Sequence, residues 1–99
     1  LSYRPRKLYV ITTQELIPCK VGVATDATKR LIGLQVANWV ELGLYATFPC
    51  FNAMGLERAI LDHFRAHLIR GEWINLSAEI VVKRIREVLK ARSYGAQTL

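Results

Sequence analysis

Four side chains in this sequence have the types and spacing for chemistry: Tyr9, Lys20, Arg30 and Glu57. A phenol can handle a proton, two cations can neutralise an anion, and a carboxylate can hold a metal ion. Glu57 is the most unusual of the four. At roughly 100° per residue, Ile60, Leu61, Phe64 and Leu68 fall in one narrow helical stripe, and Glu57 falls in the middle of it. An unpaired carboxylate buried there is strongly penalised. Three explanations stay open. Glu57 pairs with a buried Arg or Lys. It lies near enough to the helix start to reach solvent, where the dipole favours it. Or it lines a cleft and binds a cation. The other three residues also have ordinary readings. Tyr9 sits in an apolar run, where a Tyr usually packs in the core with its hydroxyl at an edge. Lys20 shares a strand face with Gly22, where the open backbone lets a ligand approach. Arg30 follows a capped helix start and can lie along Leu34 as a surface Arg.

The elements that position these residues follow from local pattern. "KLYVITT" and "CKVGVA" read as strands, and their closeness in sequence predicts an antiparallel hairpin. "TDATKRLIGLQVAN" changes to helical period, with Thr25 or Asp26 as N-cap. "VELGLYATFP" alternates again: Leu42, Leu44, Ala46 and Phe48 are expected on one face, Glu41, Tyr45 and Thr47 on the other. Pro49 ends it. The Glu57 helix is expected to run to about Gly71, and "EWINL" is extended or a turn. "SAEIVVKRIREVLKAR" is a last helix capped by Ser77, with a frayed tail from Ser93. The order is β-β-α-β-α-α. The fold class expected is α+β: a small three-stranded antiparallel sheet flanked by helices, one domain over 1–99 with its core about 7–92.

The totals agree with a small globular domain. The chain has 99 residues, 52% of them hydrophobic, and a formal net charge of +6. That surplus of Lys and Arg points to polyanions, nucleic acid first. No run approaches the roughly 20 apolar residues of a membrane span, and "LSYRPRK" is no signal peptide. A start at Leu1 rather than Met leads us to expect a longer parent protein with other domains. Cys19 and Cys50 lack partners at metal-ligand spacing and read as buried thiols of a cytosolic protein. His63 and His67 have no third ligand for zinc. Lys83, Arg86 and Lys90 line one side of the last helix, as a solvated face or a phosphate-contacting stripe.

The order of motifs resembles the GIY-YIG endonuclease superfamily. Tyr9 closes an "L-Y" in strand one, and "K-V-G" follows eleven residues later in strand two. "T-D…K-R" opens a helix, "L-E" lies in another, and "G-E-W" comes after it. The pattern is similar to the phage-type and meiotic-protein branch, with its "KIG" second motif and "GEWF" ending. It spans roughly Lys7 to Leu76. The resemblance implies a three-stranded antiparallel sheet with flanking helices. It also implies that Tyr9 acts on the attacking water, Arg30 steadies the scissile phosphate, and Glu57 binds one divalent cation, Mg²⁺ or Mn²⁺. Lys20 stands where the superfamily has its second Tyr, and Gly22 matches that motif's Gly. This sequence departs from the pattern at several points. Lys7 replaces the first Gly, Leu34 or Gln35 occupies the place of a helix His or Tyr, and Leu61 stands where relatives carry "LH".

The function expected is therefore a single-metal DNA endonuclease acting on double-stranded or branched DNA, in the cytoplasm or wherever its DNA lies. Tyr9, Lys20, Arg30 and Glu57 form the catalytic set, with Glu57 on the metal. Gly22, Lys29, Lys83, Arg86 and Lys90 contact substrate, and Glu72 is at most a supporting group. As a base, Tyr9 needs a nearby cation, and Lys20 is the one at hand. The alternative is a catalytically silent module on the same fold, binding nucleic acid or protein; the absent helix His or Tyr favours it. An RNA-binding ribosomal-type protein fits the charge but explains neither Glu57 nor the motif order.

Overall fold

Successive residues of a strand face opposite ways, so a strand with no exposed interior position must be covered on both sides. The first strand meets that condition. In a computed structural model describing residues 6–97, with side chains through residue 93, β1 (Lys7–Thr13) has Leu8, Tyr9, Val10 and Ile11 all buried. It pairs antiparallel with β2 (Cys19–Ala24) on one side and β3 (Leu42–Pro49) on the other. Tyr9 and Ile11 pack with Ala27, Leu31 and Leu34 of α1 (Ala27–Val36). Leu8, Val10, Cys19 and Val21 face the other way. They meet Leu56 and Ile60 of α2 (Ala53–His63) and Val81 and Ile85 of α3 (Ala78–Gln97).

The caps fix where these helices begin. Asp26 accepts the Lys29 amide at 3.0 Å, Asn52 accepts the Gly55 amide at 3.1 Å, and Ser77 accepts the Ile80 amide at 3.4 Å. The far end of α1 is held by one side chain. Gln35 donates to the carbonyls of Asn38 and Val40 and accepts the Leu42 amide at 2.7 Å, so the turn into β3 is bonded throughout.

The expected three-stranded sheet is wrong. The sheet has five strands in the order β3-β1-β2-β5-β4. Of the extra pair, β4 comes from the segment read as a helix tail and β5 from "EWINL", read as extended or a turn. Helix α2 stops at His63, eight residues before Gly71, and a short 3₁₀ turn over Arg65–His67 follows. Then β4 (Leu68–Arg70) and β5 (Trp73–Ile74) form a hairpin. Phe64 and Leu68 have helical spacing, but Leu68 is extended. Helix and hairpin both bury an apolar residue there, and periodicity alone does not separate them over so few residues. Gly71 takes φ +56° in the turn, a conformation suited to glycine at the start of a two-residue loop. β5 then pairs with β2, Ile74 opposite Cys19 and Trp73 opposite Lys20.

A second departure lies in β3. Its register shifts against β1: Val10 faces Ala46, but Ile11 faces Leu44. Tyr45 is the extra residue of a bulge. Leu42 and Leu44 consequently pack with α1, while Ala46 and Phe48 pack with α2 and α3. The single expected stripe is divided between both cores. At the other end of the chain, α3 continues to Gln97, past the tail expected from Ser93; residues 98 and 99 lie outside the described residues.

Tyr9 lies directly over Gly22, its partner across the β1–β2 ladder. A Cβ on Gly22 would sit deep inside contact distance of the Tyr9 hydroxyl and ring. Gly22→Ala should therefore displace Tyr9 and cost about 1–3 kcal/mol. Gly43→Ala, with open space around it, should cost much less. Urea melts of the two variants beside the parent check this; equal stabilities would show that Tyr9 is free to move aside.

Candidate active site

The true buried stripe of α2 runs through Ala53, Leu56, Ile60 and Phe64. Glu57 lies one residue to its side, half-buried, and not in the middle of the stripe. Its flank turns toward the β2–β5 side of the sheet. There the β4–β5 turn brings Glu72 close enough to the Glu57 carboxyl for the two to share a proton. Glu72 in turn accepts from Lys20 Nζ at 3.1 Å. The Lys20 side chain is only 10% exposed, and its ammonium also lies 6.0 Å from the centre of the Trp73 ring. A buried ammonium needs such partners. Lys20 therefore answers the first of the open explanations in a different way: it is paired, but with Glu72.

Two carboxyls this close in a half-buried site cannot both ionise freely. Burial, the hydrogen bond to Glu72 and the charge of Glu72 raise the Glu57 carboxyl to about 7, against the opposing charge of Lys20. Burial also pushes Glu72 up. The bonds from Glu57 and Lys20 and the charges of Lys20 and Arg30 outweigh it, and Glu72 ends below the usual carboxylate range. Near neutral pH the pair holds one proton for part of the time, mainly on Glu57.

The other expected site residues fall into two groups. Tyr9 and Lys20 share the α1 face of the sheet, with Gly22 directly under the Tyr9 ring. Tyr9 is buried, yet its hydroxyl is not stranded: among the described residues, the one fully buried side-chain N or O lacking a partner is Arg84 Nε. Arg30 and Lys29 are exposed in the first turn of α1 and line an open groove of about 480 Å³ with Asp26 and Gly33. Arg30 is close enough for its charge to act on Glu72. Lys83, Arg86 and Lys90 are elsewhere. They line a groove of about 570 Å³ between α3 and Tyr45 on β3, at the opposite edge of the sheet from Glu72.

Glu72 is the functional candidate that sequence reasoning undervalued. The signal was present as Arg-Gly-Glu-Trp between two short extended pieces, which is a two-residue hairpin turn with glycine first. Reading that turn would have placed Glu72 beside β2. Burial raises the Cys19 thiol to about 11, which disfavours its thiolate form.

The raised Glu57 carboxyl has a definite stability signature. Its contribution is present in full below its ordinary value of 4.5 and is lost as pH rises through about 7. In EDTA, the melting temperature should fall between pH 5.5 and 8, and Glu57→Gln should remove that fall and melt higher at pH 8. Glu72→Gln should behave oppositely, destabilising by about 1–3 kcal/mol, because it strands Lys20. Equal melting profiles for the parent and Glu57→Gln would show that Glu57 is not held in this pair.

The T5orf172 domain family model matches residues 7–90, from the start of β1 to well along α3. No curated protein and no solved structure matches the chain. T5orf172 domains are often found with GIY-YIG nuclease-associated proteins, which supports the broad nuclease-domain superfamily and no particular motif variant. The matched span contains Tyr9, Lys20, Arg30, Glu57 and Glu72, and by its extent the chain belongs to the T5orf172 domain family.

Proposed function

We propose that this domain is a metal-dependent DNA endonuclease, hydrolysing phosphodiester bonds with one divalent cation and the motif arrangement of the phage-type and meiotic-protein GIY-YIG branch. The observation that carries the reading is the charge balance around Glu57. Two carboxyls face one ammonium, and that ammonium is bonded to Glu72. Burial and the neighbouring Glu72 keep Glu57 from ionising freely near neutral pH. A divalent cation on Glu57 would favour its ionised form.

The donor set fits Mg²⁺ or Mn²⁺. Among the described residues there is no cluster of three or more His, Cys, Asp or Glu for an all-protein cage. Mg²⁺ does not require one: it keeps several waters and is commonly held by one or two carboxylates plus substrate phosphate oxygens. When bound, the cation supplies Lewis acidity and charge for the departing oxygen. Arg30, exposed in the α1 groove, neutralises charge on the scissile phosphate. Lys29 contacts the same backbone from the same groove. Tyr9 orients the attacking water at its hydroxyl oxygen and takes part in moving the proton. Lys20, on the same sheet face, provides positive charge there and is itself positioned by Glu72. Lys83, Arg86 and Lys90 hold a more distant stretch of duplex. No helix among the described residues is long and apolar enough to cross a membrane, and the domain works wherever its DNA lies.

One observation favours a second reading, a module that binds DNA without cutting. The helix position where active relatives of the resembled superfamily carry His or Tyr is Leu34 or Gln35. Gln35 is fully engaged in bonding the α1–β3 turn.

A supercoiled-plasmid assay separates the two. With Mg²⁺ or Mn²⁺ the protein should nick the plasmid, and EDTA should stop it. Tyr9→Phe should slow nicking by roughly 10²–10⁴-fold with folding nearly intact, and Glu57→Gln should abolish it. Affinity for DNA should also fall with salt at a log–log slope near −0.9 per phosphate contact. Salt-dependent binding without nicking would establish the silent module. Undiminished nicking by Glu57→Gln would remove the metal role of Glu57.

A further inference from the structure

Two aromatic side chains stand almost free of the fold, at opposite ends of the sheet. Trp39, 96% exposed, lies in the α1–β3 turn near the Thr13–Leu42 end; Phe51, 91% exposed, lies in the β3–α2 corner just past the Lys7–Pro49 end. Folding alone gives neither a reason to be aromatic. Their surroundings differ in charge. Trp39 shares its groove with Glu15 and Glu41. Around Phe51 the segment 48–56 contains no Asp or Glu, and two guanidiniums lean on it. Arg92 donates to the Phe51 carbonyl at 3.3 Å, and Arg6 lies 2.9 Å from the Met54 sulfur. Neither Arg forms an ion pair among the described residues.

An exposed ring beside one guanidinium, with a second on Met54 three residues along, complements a polyanion that also carries flat rings. Nucleic acid has both features: bases stack on aromatic faces, and phosphates take the cations. Position supports the same partner. Lys7 pairs with Ala24 and with Pro49, so the strand leading to α1 and the strand leading to Phe51 end together. A backbone lying in the Lys29–Arg30 groove thus starts from the end of the sheet where Phe51 projects.

We propose that Phe51, with Arg92 on its carbonyl and Arg6 on nearby Met54, is a stacking contact for an unpaired nucleobase of bound DNA, outside the cleft around Glu57. The inference rests on the nucleic-acid reading given above. It narrows the expected double-stranded or branched DNA to DNA with an unstacked base near the cut, as at an overhang or flap. A fully paired duplex offers no free base face to Phe51.

Fluorescence anisotropy in EDTA, with a fluorescein-labelled duplex and the same duplex carrying a single-stranded overhang, tests this. The parent should prefer the overhang. Phe51→Ala should lose about tenfold to a hundredfold in affinity for the overhang and little for the blunt duplex, while Phe51→Trp should keep the preference. The exposed position makes folding of both variants expected, and their melting curves check it. Arg6→Ala and Arg92→Ala should weaken both probes and reduce the salt slope. Equal overhang binding by folded Phe51→Ala overturns the proposal and leaves the DNA reading intact. Absence of salt-dependent binding by the parent to either probe overturns the DNA reading itself. A parent dimer in sedimentation that Phe51→Ala dissociates assigns the ring to a second copy and also overturns the proposal.

Discussion

Everything in this fold depends on β1 being covered on both faces. Four consecutive side chains, Leu8 through Ile11, are buried, which no strand achieves with solvent on one side. The covering has to come from helices on opposite faces, so α1 packs on one side and α2 with α3 on the other. The antiparallel neighbours β2 and β3 then both finish at the Lys7 end of the sheet. Both helices that follow them start there. The site inherits this arrangement: one cation donor from α1, one carboxyl from α2, and the phenol from the strand between them.

The carboxyl pair is the least comfortable part of the molecule. Lys20 is buried and must be paired, and Glu72 pairs it. Glu57 adds a second carboxyl to a partnership already electrically complete, so its ionisation is suppressed. A fold selected for stability alone has no use for it. Strain of this kind is common where a protein holds groups ready for a ligand, and stability is then traded for readiness.

Much of this was legible in the sequence, and the failures have physical causes. The limits of β1 and β2, the Asp26 cap, the end of β3 at Pro49 and the Ser77 cap were readable, because each has a strong local signal. The bulge at Tyr45 was not. An extra residue does not disturb alternation as written; it changes only which face the alternation reaches. The β4–β5 hairpin was hidden by coincidence, since Phe64 and Leu68 keep helical spacing after the helix has stopped. That one error also hid Glu72, because a residue assigned near a helix end gives no reason to look for it beside β2. The catalytic candidates Tyr9, Lys20, Arg30 and Glu57 were visible as residue types in order. Their mutual electrostatics required the fold.

The two tryptophans are divided in a way that has an optical consequence. Trp39 stands in water, while Trp73 is half-buried with its ring facing the Lys20 ammonium. Indole emission depends on nearby charge and solvent, so any event that moves Lys20 or reorders the carboxyls changes the light from Trp73. Trp39, 96% exposed, contributes a red-shifted background that overlaps the Trp73 signal. With Trp39 replaced by Phe, the remaining indole would be a native reporter of the Lys20–Glu72–Glu57 cluster, following its proton exchange in real time without an attached dye.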